Sequence, residues 1–144
     1  MSNETLPETE KKKKYLKRYR KNLTLIARLS NKLEELNQRI YTVKAPSLSG
    51  MPRGGDPVTL SDLVAEKTDL EDRIVRLAAK GRIIRREILE VIDDLDDVRY
   101  AQVLEAFCIE AKSFDEIADE TGYNVRHVIR LYSEAIAAIA VTEQ

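Results

Sequence analysis

The chain has 144 residues, which is enough for one domain or for two small ones. Lys and Arg number 24 and Asp and Glu number 25, so the net charge is −1. This total argues against a nucleic-acid binder, because phosphate contact normally needs a basic excess. A single cysteine, Cys108, and a single histidine, His127, exclude an intrachain disulfide, a Cys-based metal site and a multi-His metal site.

The sequence contains neither the apolar core of a signal peptide nor an apolar stretch long enough to span a membrane. We therefore expect a cytoplasmic protein that does not contact membranes, and we expect no cofactor. Cys108 lies among apolar residues and is expected to be a core residue.

The charge is distributed unevenly along the chain. Residues 1–43 carry a net charge of +6, residues 44–95 carry −1 and residues 96–144 carry −6. The near-neutral total is therefore an average over three unlike segments. Residues 1–10 are polar and predict a disordered tail.

Apolar residues at heptad spacing predict a helix over residues 11–43. The stripe consists of Ile26, Leu29, Leu33, Leu36, Ile40 and Val43. Three prolines and three glycines then end the helix and predict a loop at residues 44–57.

A second heptad pattern runs from residue 59 or 60 to about residue 95. Its two sets of residues, each spaced by seven, are Leu60, Lys67, Ile74, Gly81, Ile88 and Leu95, and Leu63, Leu70, Leu77, Ile84 and Val91. Two long helices joined by a loop predict an antiparallel helical hairpin over residues 11–95, and the whole chain is expected to be all-α. Because a two-helix hairpin alone buries little apolar surface, we expect a homo-oligomer, with a dimer favoured.

Gly81 lies in the middle of the second stripe, where glycine costs about 1 kcal/mol relative to alanine. Two interpretations stay open on the sequence. The glycine allows a close approach or a bend of the helix, or it is a tolerated defect.

Residues 96–144 contain the signals of three short helices. The first is expected at about residues 98–110. Ser113 and Glu116 form an S-x-x-E capping box that begins the second helix, and Gly122 supplies the positive φ that ends it. Asn124 then caps a third helix at about residues 125–140.

The spacing of the second and third helices predicts a helix-turn-helix that binds double-stranded DNA through its last helix. Its small core is expected to consist of Ile117, Ala118, Gly122, Tyr123, Val128 and Leu131. The expected DNA-contacting residues are Asn124, Val125, Arg126, His127 and Arg130. Arg can pair with guanine or hold a phosphate, and Asn can pair with adenine. The sequence places no nucleophile or acid with His127 in a catalytic set, so we do not expect an enzyme.

A segment with a net charge of −6 is repelled by phosphate at long range. We therefore expect DNA binding to need help from basic residues elsewhere, from a second subunit or from a protein partner. The candidate auxiliary residues are Lys17, Arg18, Arg20, Lys21, Arg82, Arg85 and Arg86.

Two runs of residues carry a family resemblance: LDDVRYAQVL at 95–104 and FDEIADETGYNVRHVIRLY at 114–132. They resemble the −35-reading region 4 of sigma factors. They are more closely similar to short Gram-positive phage and prophage regulators of the RinA and ArpU kind, whose linker the GMPRG run at 50–54 also resembles. The chain differs from that pattern at residues 134–140, which are rich in Ala and Ile where more basic residues are expected. This difference indicates that the last helix packs or self-associates.

The resemblance implies a sigma region 4-like domain at residues 96–144 that binds specific DNA sequences and controls late phage genes in the cytoplasm of a bacterial host. It also implies possible contact with RNA polymerase. Three alternatives stay open: a small-terminase-like DNA-packaging subunit, which needs a ring, a protein-only adaptor that docks on RNA polymerase or sigma, and a structural coiled coil.

Overall fold

The computed structural model describes residues 7–44 and 59–140, and this part of the chain is all-α, as the sequence predicts. Its six helices are α1 (Glu8–Leu16), α2 (Arg18–Lys44), α3 (Leu60–Asp93), α4 (Val98–Cys108), α5 (Phe114–Thr121) and α6 (Val125–Ala138). Residues 1–6 of the predicted tail, residues 45–57 of the predicted loop and residues 141–144 lie outside the described residues.

The first helix begins earlier than the sequence predicts. α1 starts at Glu8, so the expectation of a disordered tail is wrong for residues 8–10. Acidic side chains in the first turn and basic side chains in the last turn suit the helix dipole. A break at Lys17 separates α1 from α2 and interrupts the single helix predicted over residues 11–43.

Residues 24–79 form one compact unit, which contains most of α2 and the first part of α3. Among its described residues the buried cluster is small: it consists of Leu36 and Ile40 near the end of α2 and Leu63 near the start of α3, with Val43, Leu60 and Leu70 partly buried against them. The end of one helix therefore packs against the start of the next, as expected of an antiparallel pair. The large apolar side chains that the described part of this unit exposes are Leu25, Tyr41, Val64 and Val75.

Residues 1–23 and 80–144 form the other compact unit. Leu16 of α1 and three isoleucines of α3, at positions 84, 88 and 92, belong to the same buried cluster as the apolar residues of α4, α5 and α6. The domain boundary expected between residues 95 and 96 is therefore not a boundary between compact units. The reason is that the C-terminal helices need the apolar side chains of α1 and α3 to complete their core.

Gly81 gives α3 room for a side chain of α2. Asn22 is only 4% exposed, and its Cγ lies 3.1 Å from the position that a Cβ on Gly81 would take. The close approach is therefore the interpretation that the structure supports, and the tolerated defect is not. A buried asparagine in a helix pair commonly specifies register, so we expect Asn22 and Gly81 to set the alignment of these two segments.

The net charges of the two compact units differ from those of the sequence segments. The unit of residues 1–23 and 80–144 has 16 basic and 17 acidic residues, a net charge of −1, and residues 24–79 have eight of each. The acidic C-terminal segment therefore folds together with most of the basic N-terminal segment. The long-range repulsion inferred from a charge of −6 does not apply to the folded unit.

Candidate nucleic-acid interface

α5 begins at the predicted capping box. The Ser113 Oγ accepts a hydrogen bond from the Glu116 backbone N–H at 3.1 Å, and the Glu116 Oε1 accepts one from the Ser113 N–H at 3.0 Å. The bond from the Ser113 backbone lowers the pKa of the Glu116 carboxyl, because it stabilises the charged form. The predicted start of this helix is confirmed.

The connection between α5 and α6 has only three residues, 122–124. Gly122 has a φ of 80°, and its N–H donates to the Ala118 carbonyl at 2.9 Å, which ends α5. The Asn124 Oδ1 then accepts a hydrogen bond from the His127 N–H at 2.8 Å and caps α6. The turn and the cap both lie where the sequence predicts them, and the Asn124 side chain is thereby held at the start of α6.

Five of the six predicted core residues of this helix pair are brought together, and the prediction is wrong for Gly122, which is exposed because it forms the turn and has no side chain to bury. Ile117, Ala118, Val128 and Leu131 are buried in one cluster, with Tyr123 half-buried against it. An aromatic group supports them from α4 and α5: Phe107 stacks on Phe114 at 4.8 Å, and Tyr132 lies at 4.9 Å and 5.1 Å from these two rings. α6 is therefore held by α4 as well as by α5.

The outer face of α6 carries apolar and basic side chains together. Arg126 and Arg130 are exposed, Val125 is 36% exposed and Ile129 is 42% exposed. Ile129 is not among the residues that the sequence predicts to contact DNA. The spacing of the buried residues 128, 131, 132 and 135 could have identified it, because position 129 lies about 110° around a 3.6-residue helix from the centre of that buried side.

Four of the five predicted DNA-contacting residues line one shallow depression of about 360 Å³: Asn124, Arg126, His127 and Arg130. The Arg130 Nη2 lies 2.9 Å from the His127 Nδ1. Among the described residues, no carboxylate forms an ion pair with Arg126 or Arg130. The depression therefore presents two guanidinium groups and an amide beside the N-terminus of a helix, which suits an anionic ligand with polar edges.

The predicted auxiliary residues of the N-terminal segment divide into two groups. Lys17 and Lys21 are exposed. Arg18 forms an ion pair with Glu87 at 2.9 Å. Arg20 donates to the Phe107 carbonyl at 2.8 Å, and its guanidinium also lies 4.2 Å from the centre of the Phe107 ring. Arg20 therefore satisfies a backbone carbonyl at the C-terminal end of α4 and stabilises that end of the helix.

The other auxiliary residues, Arg82, Arg85 and Arg86, are exposed on α3. They line a second shallow depression of about 390 Å³, together with Leu89, Glu90 and Asp93. This cluster belongs to the same compact unit as α6.

The Ala- and Ile-rich end of α6 packs within the chain. Ala135, Ile136 and Ile139 are buried in the cluster that also contains Leu16 of α1. The Lys12 Nζ donates to the Ala137 carbonyl at 3.2 Å, so a basic side chain of α1 contacts the last turn of α6. Packing accounts for the missing basic residues at positions 135, 136 and 139.

The described residues contain no group of three or more His, Cys, Asp or Glu side chains placed to hold a metal ion. Cys108 is buried, and burial raises the pKa of its thiol to about 12, although Arg20 and Lys17 act in the opposite direction. A thiol in this environment is a core side chain, as the sequence predicts. None of the helices in residues 7–44 and 59–140 is long and apolar enough to cross a membrane.

Comparisons of the chain with protein-family models, curated proteins and solved structures find no match. The resemblance to sigma region 4 and to the phage regulators therefore stays a prediction.

Proposed function

We propose that the protein is a DNA-binding transcriptional regulator of phage or prophage genes, and not an enzyme. The observation that carries the proposal is the outer face of α6, where Arg126 and Arg130 are exposed, have no carboxylate partner among the described residues and adjoin the Asn124 cap. In a helix-turn-helix, the N-terminal part of the second helix contacts base edges in the major groove.

The residue types on this face suit double-stranded DNA. Each arginine can donate two hydrogen bonds to a guanine or hold a phosphate. Val125 and Ile129 can contact thymine methyl groups, which are the apolar features of the major groove. A face that combines both kinds of contact can distinguish base pairs, whereas lysines alone would bind any sequence.

Auxiliary phosphate contacts are proposed for the arginine cluster of α3, which consists of Arg82, Arg85 and Arg86. These side chains are exposed and belong to the same compact unit as α6. Because that unit is nearly neutral overall, a local group of arginines is needed to attract the DNA backbone.

We also propose that two copies associate through residues 24–79. This unit has a small buried core and exposes Leu25, Tyr41, Val64 and Val75, so a second copy would remove apolar surface from water. A two-fold arrangement would double the number of DNA contacts and match a palindromic site. Contact with RNA polymerase belongs to the same proposal, because the resemblance to sigma region 4 implies it.

The test is selection of bound fragments from phage DNA by the full-length protein, followed by gel-shift titration of the selected site. The full chain is needed because residues 1–23 and 80–94 contribute to the core around α6. The variant is Arg126→Ala with Arg130→Ala. A matched control is Arg73→Ala with Arg76→Ala, which removes two exposed arginines from residues 24–79, with light scattering to verify that the oligomeric state is kept.

We expect the α6 variant to lose specific affinity by about 30-fold, because a bidentate arginine–guanine pair discriminates by about 1–3 kcal/mol and the midpoint of that range corresponds to about 30-fold. The control should change affinity by less than about threefold, and circular dichroism should give the same helix content for all proteins. Equal losses in both variants would contradict the assignment of the α6 face. No shift with any DNA at low salt would favour a protein-only adaptor, and a ring of many subunits in light scattering would favour DNA packaging.

A further inference from the structure

We infer that His127 is a positioning residue: it holds the guanidinium of Arg130 and thereby sets which base Arg130 reads. This inference rests on the proposed DNA-binding function. It gives His127 a different part from the one that the sequence predicts, which is direct contact with DNA.

The contact between the two side chains defines the protonation of the imidazole. The Arg130 Nη2 lies 2.9 Å from the His127 Nδ1. Because a guanidinium has donors and no acceptor, the Nδ1 must be the acceptor, so it carries no proton. The ring is then neutral with its proton on Nε2, and a doubly protonated ring could not accept this bond.

The imidazole is itself held by the turn. The Tyr123 ring meets the His127 ring edge to face, with centroids 4.7 Å apart and planes at 85°. The His127 backbone N–H donates to the Asn124 Oδ1 at 2.8 Å, which fixes the backbone from which the ring extends, and the His127 side chain is half-buried. The turn between α5 and α6 is therefore connected to Arg130 through Tyr123 and His127.

This connection distinguishes the two arginines of the α6 face. Arg130 has one donor engaged within the protein and keeps four N–H donors for a bidentate contact. For Arg126, the structure gives no hydrogen bond or ion pair to another described residue. A side chain held in one orientation loses less conformational entropy on binding and is more selective for base geometry. We therefore assign base reading to Arg130 and the less directional contact to Arg126.

The test compares a replacement that keeps a hydrogen-bond acceptor for Arg130 with one that removes it. In His127→Asn, the Oδ1 lies near the position of the Nδ1 and can accept from Arg130, whereas His127→Ala has no acceptor. Each change is combined with Arg130→Ala in a double-mutant cycle, and binding is measured on the selected site and on sites that differ at one base pair.

We expect His127→Ala to lower discrimination at the base pair read by Arg130 by about tenfold, which lies within the range of one bidentate contact. His127→Asn should stay within about threefold of the natural protein. In the Arg130→Ala background, His127→Ala should have no further effect. Additive losses would show that His127 contacts DNA directly, and an equal loss in His127→Asn would also overturn the inference.

Nitrogen NMR of His127 in the free protein gives a second readout that needs no DNA. The inference expects a neutral ring protonated on Nε2, with a changed Nδ1 shift in Arg130→Ala. A ring protonated on Nδ1 would overturn it even if DNA binding is confirmed. If the natural protein binds no DNA while NMR reports the contact, the proposed function fails and the pairing of His127 with Arg130 survives.

Discussion

Leu16 lies far from α6 in the sequence, yet we expect its truncation to destabilise the helix pair that carries the candidate interface. Its side chain is 0% exposed and belongs to the cluster that contains Val128, Leu131 and Ile136. The substitution Leu16→Ala removes three carbon atoms from this core and leaves the backbone of α1 suited to a helix, because alanine has the highest helix propensity.

The expected loss follows from the burial of these atoms. Each buried methylene contributes about 0.8 kcal/mol, so three carbons contribute about 2.4 kcal/mol. The cavity that remains adds to this value, since Leu→Ala changes in cores cost about 2–5 kcal/mol. We expect Leu16→Ala to lower the free energy of unfolding by about 3 kcal/mol. This corresponds to a roughly 150-fold increase in the population of open forms.

Urea unfolding followed by circular dichroism measures the total loss, and hydrogen exchange with mass spectrometry locates it. Peptides from α4 to α6 should lose protection in Leu16→Ala. The control is Ile83→Ala, because Ile83 is 60% exposed and lies outside the surface proposed for association. Its cost should stay below about 1 kcal/mol. Unchanged protection of α4–α6 in Leu16→Ala would refute the conclusion that α1 completes their core.

Three further changes test separate parts of the fold. Gly81→Ala should destabilise the protein in urea unfolding by about 1–3 kcal/mol, despite its better helix propensity, because the new Cβ meets Asn22, and Asn22→Ala should reduce that loss in the double variant. Ala111 has a φ of 58°, a left-handed conformation that costs a residue with a Cβ about 1 kcal/mol, so Ala111→Gly should raise the thermal midpoint. Ala27→Gly within α2 should lower the midpoint, because glycine has a low helix propensity. A lower midpoint in both variants would contradict this explanation. The Glu116 carboxyl has a folded pKa below its ordinary value of 4.5, so its stabilising effect is present above that value and is lost as the pH falls through the folded pKa. Glu116→Gln should therefore flatten the acid side of the stability profile as the pH falls below about 4.5, and an unchanged profile would mean that the capping bond does not hold the charged form.

The local structure of the candidate interface was predictable because its signals are short-range. Ser113 and Glu116 form the capping box, Gly122 adopts the positive φ, and Asn124 caps α6 at the predicted residue. Each of these features depends on residues no more than four positions apart. The burial of Ile117, Ala118, Val128 and Leu131 followed as well, because helix periodicity determines which side faces the neighbouring helix.

Contacts between distant segments were not predictable in the same way. The bond from Arg20 to the Phe107 carbonyl joins residues 87 positions apart, and the bond from Lys12 to the Ala137 carbonyl joins residues 125 positions apart. A heptad pattern shows that Leu16 and Ile88 are apolar, but it does not show which helices cover them. The same limitation applies to Gly81, since its purpose depends on the Asn22 side chain of another helix.

The sequence by itself determined the helical class, the capping residues and the exposed arginines of α6, because periodicity and short-range hydrogen bonds decide them. Only the tertiary structure decided how the charges combine. Along the chain, a basic N-terminal segment and an acidic C-terminal segment are far apart. In the folded protein, α1 and the C-terminal helices share one core, and their compact unit is nearly neutral. Burial of apolar surface brings these distant segments together, and the identity of an apolar residue in the sequence does not show which segment will cover it.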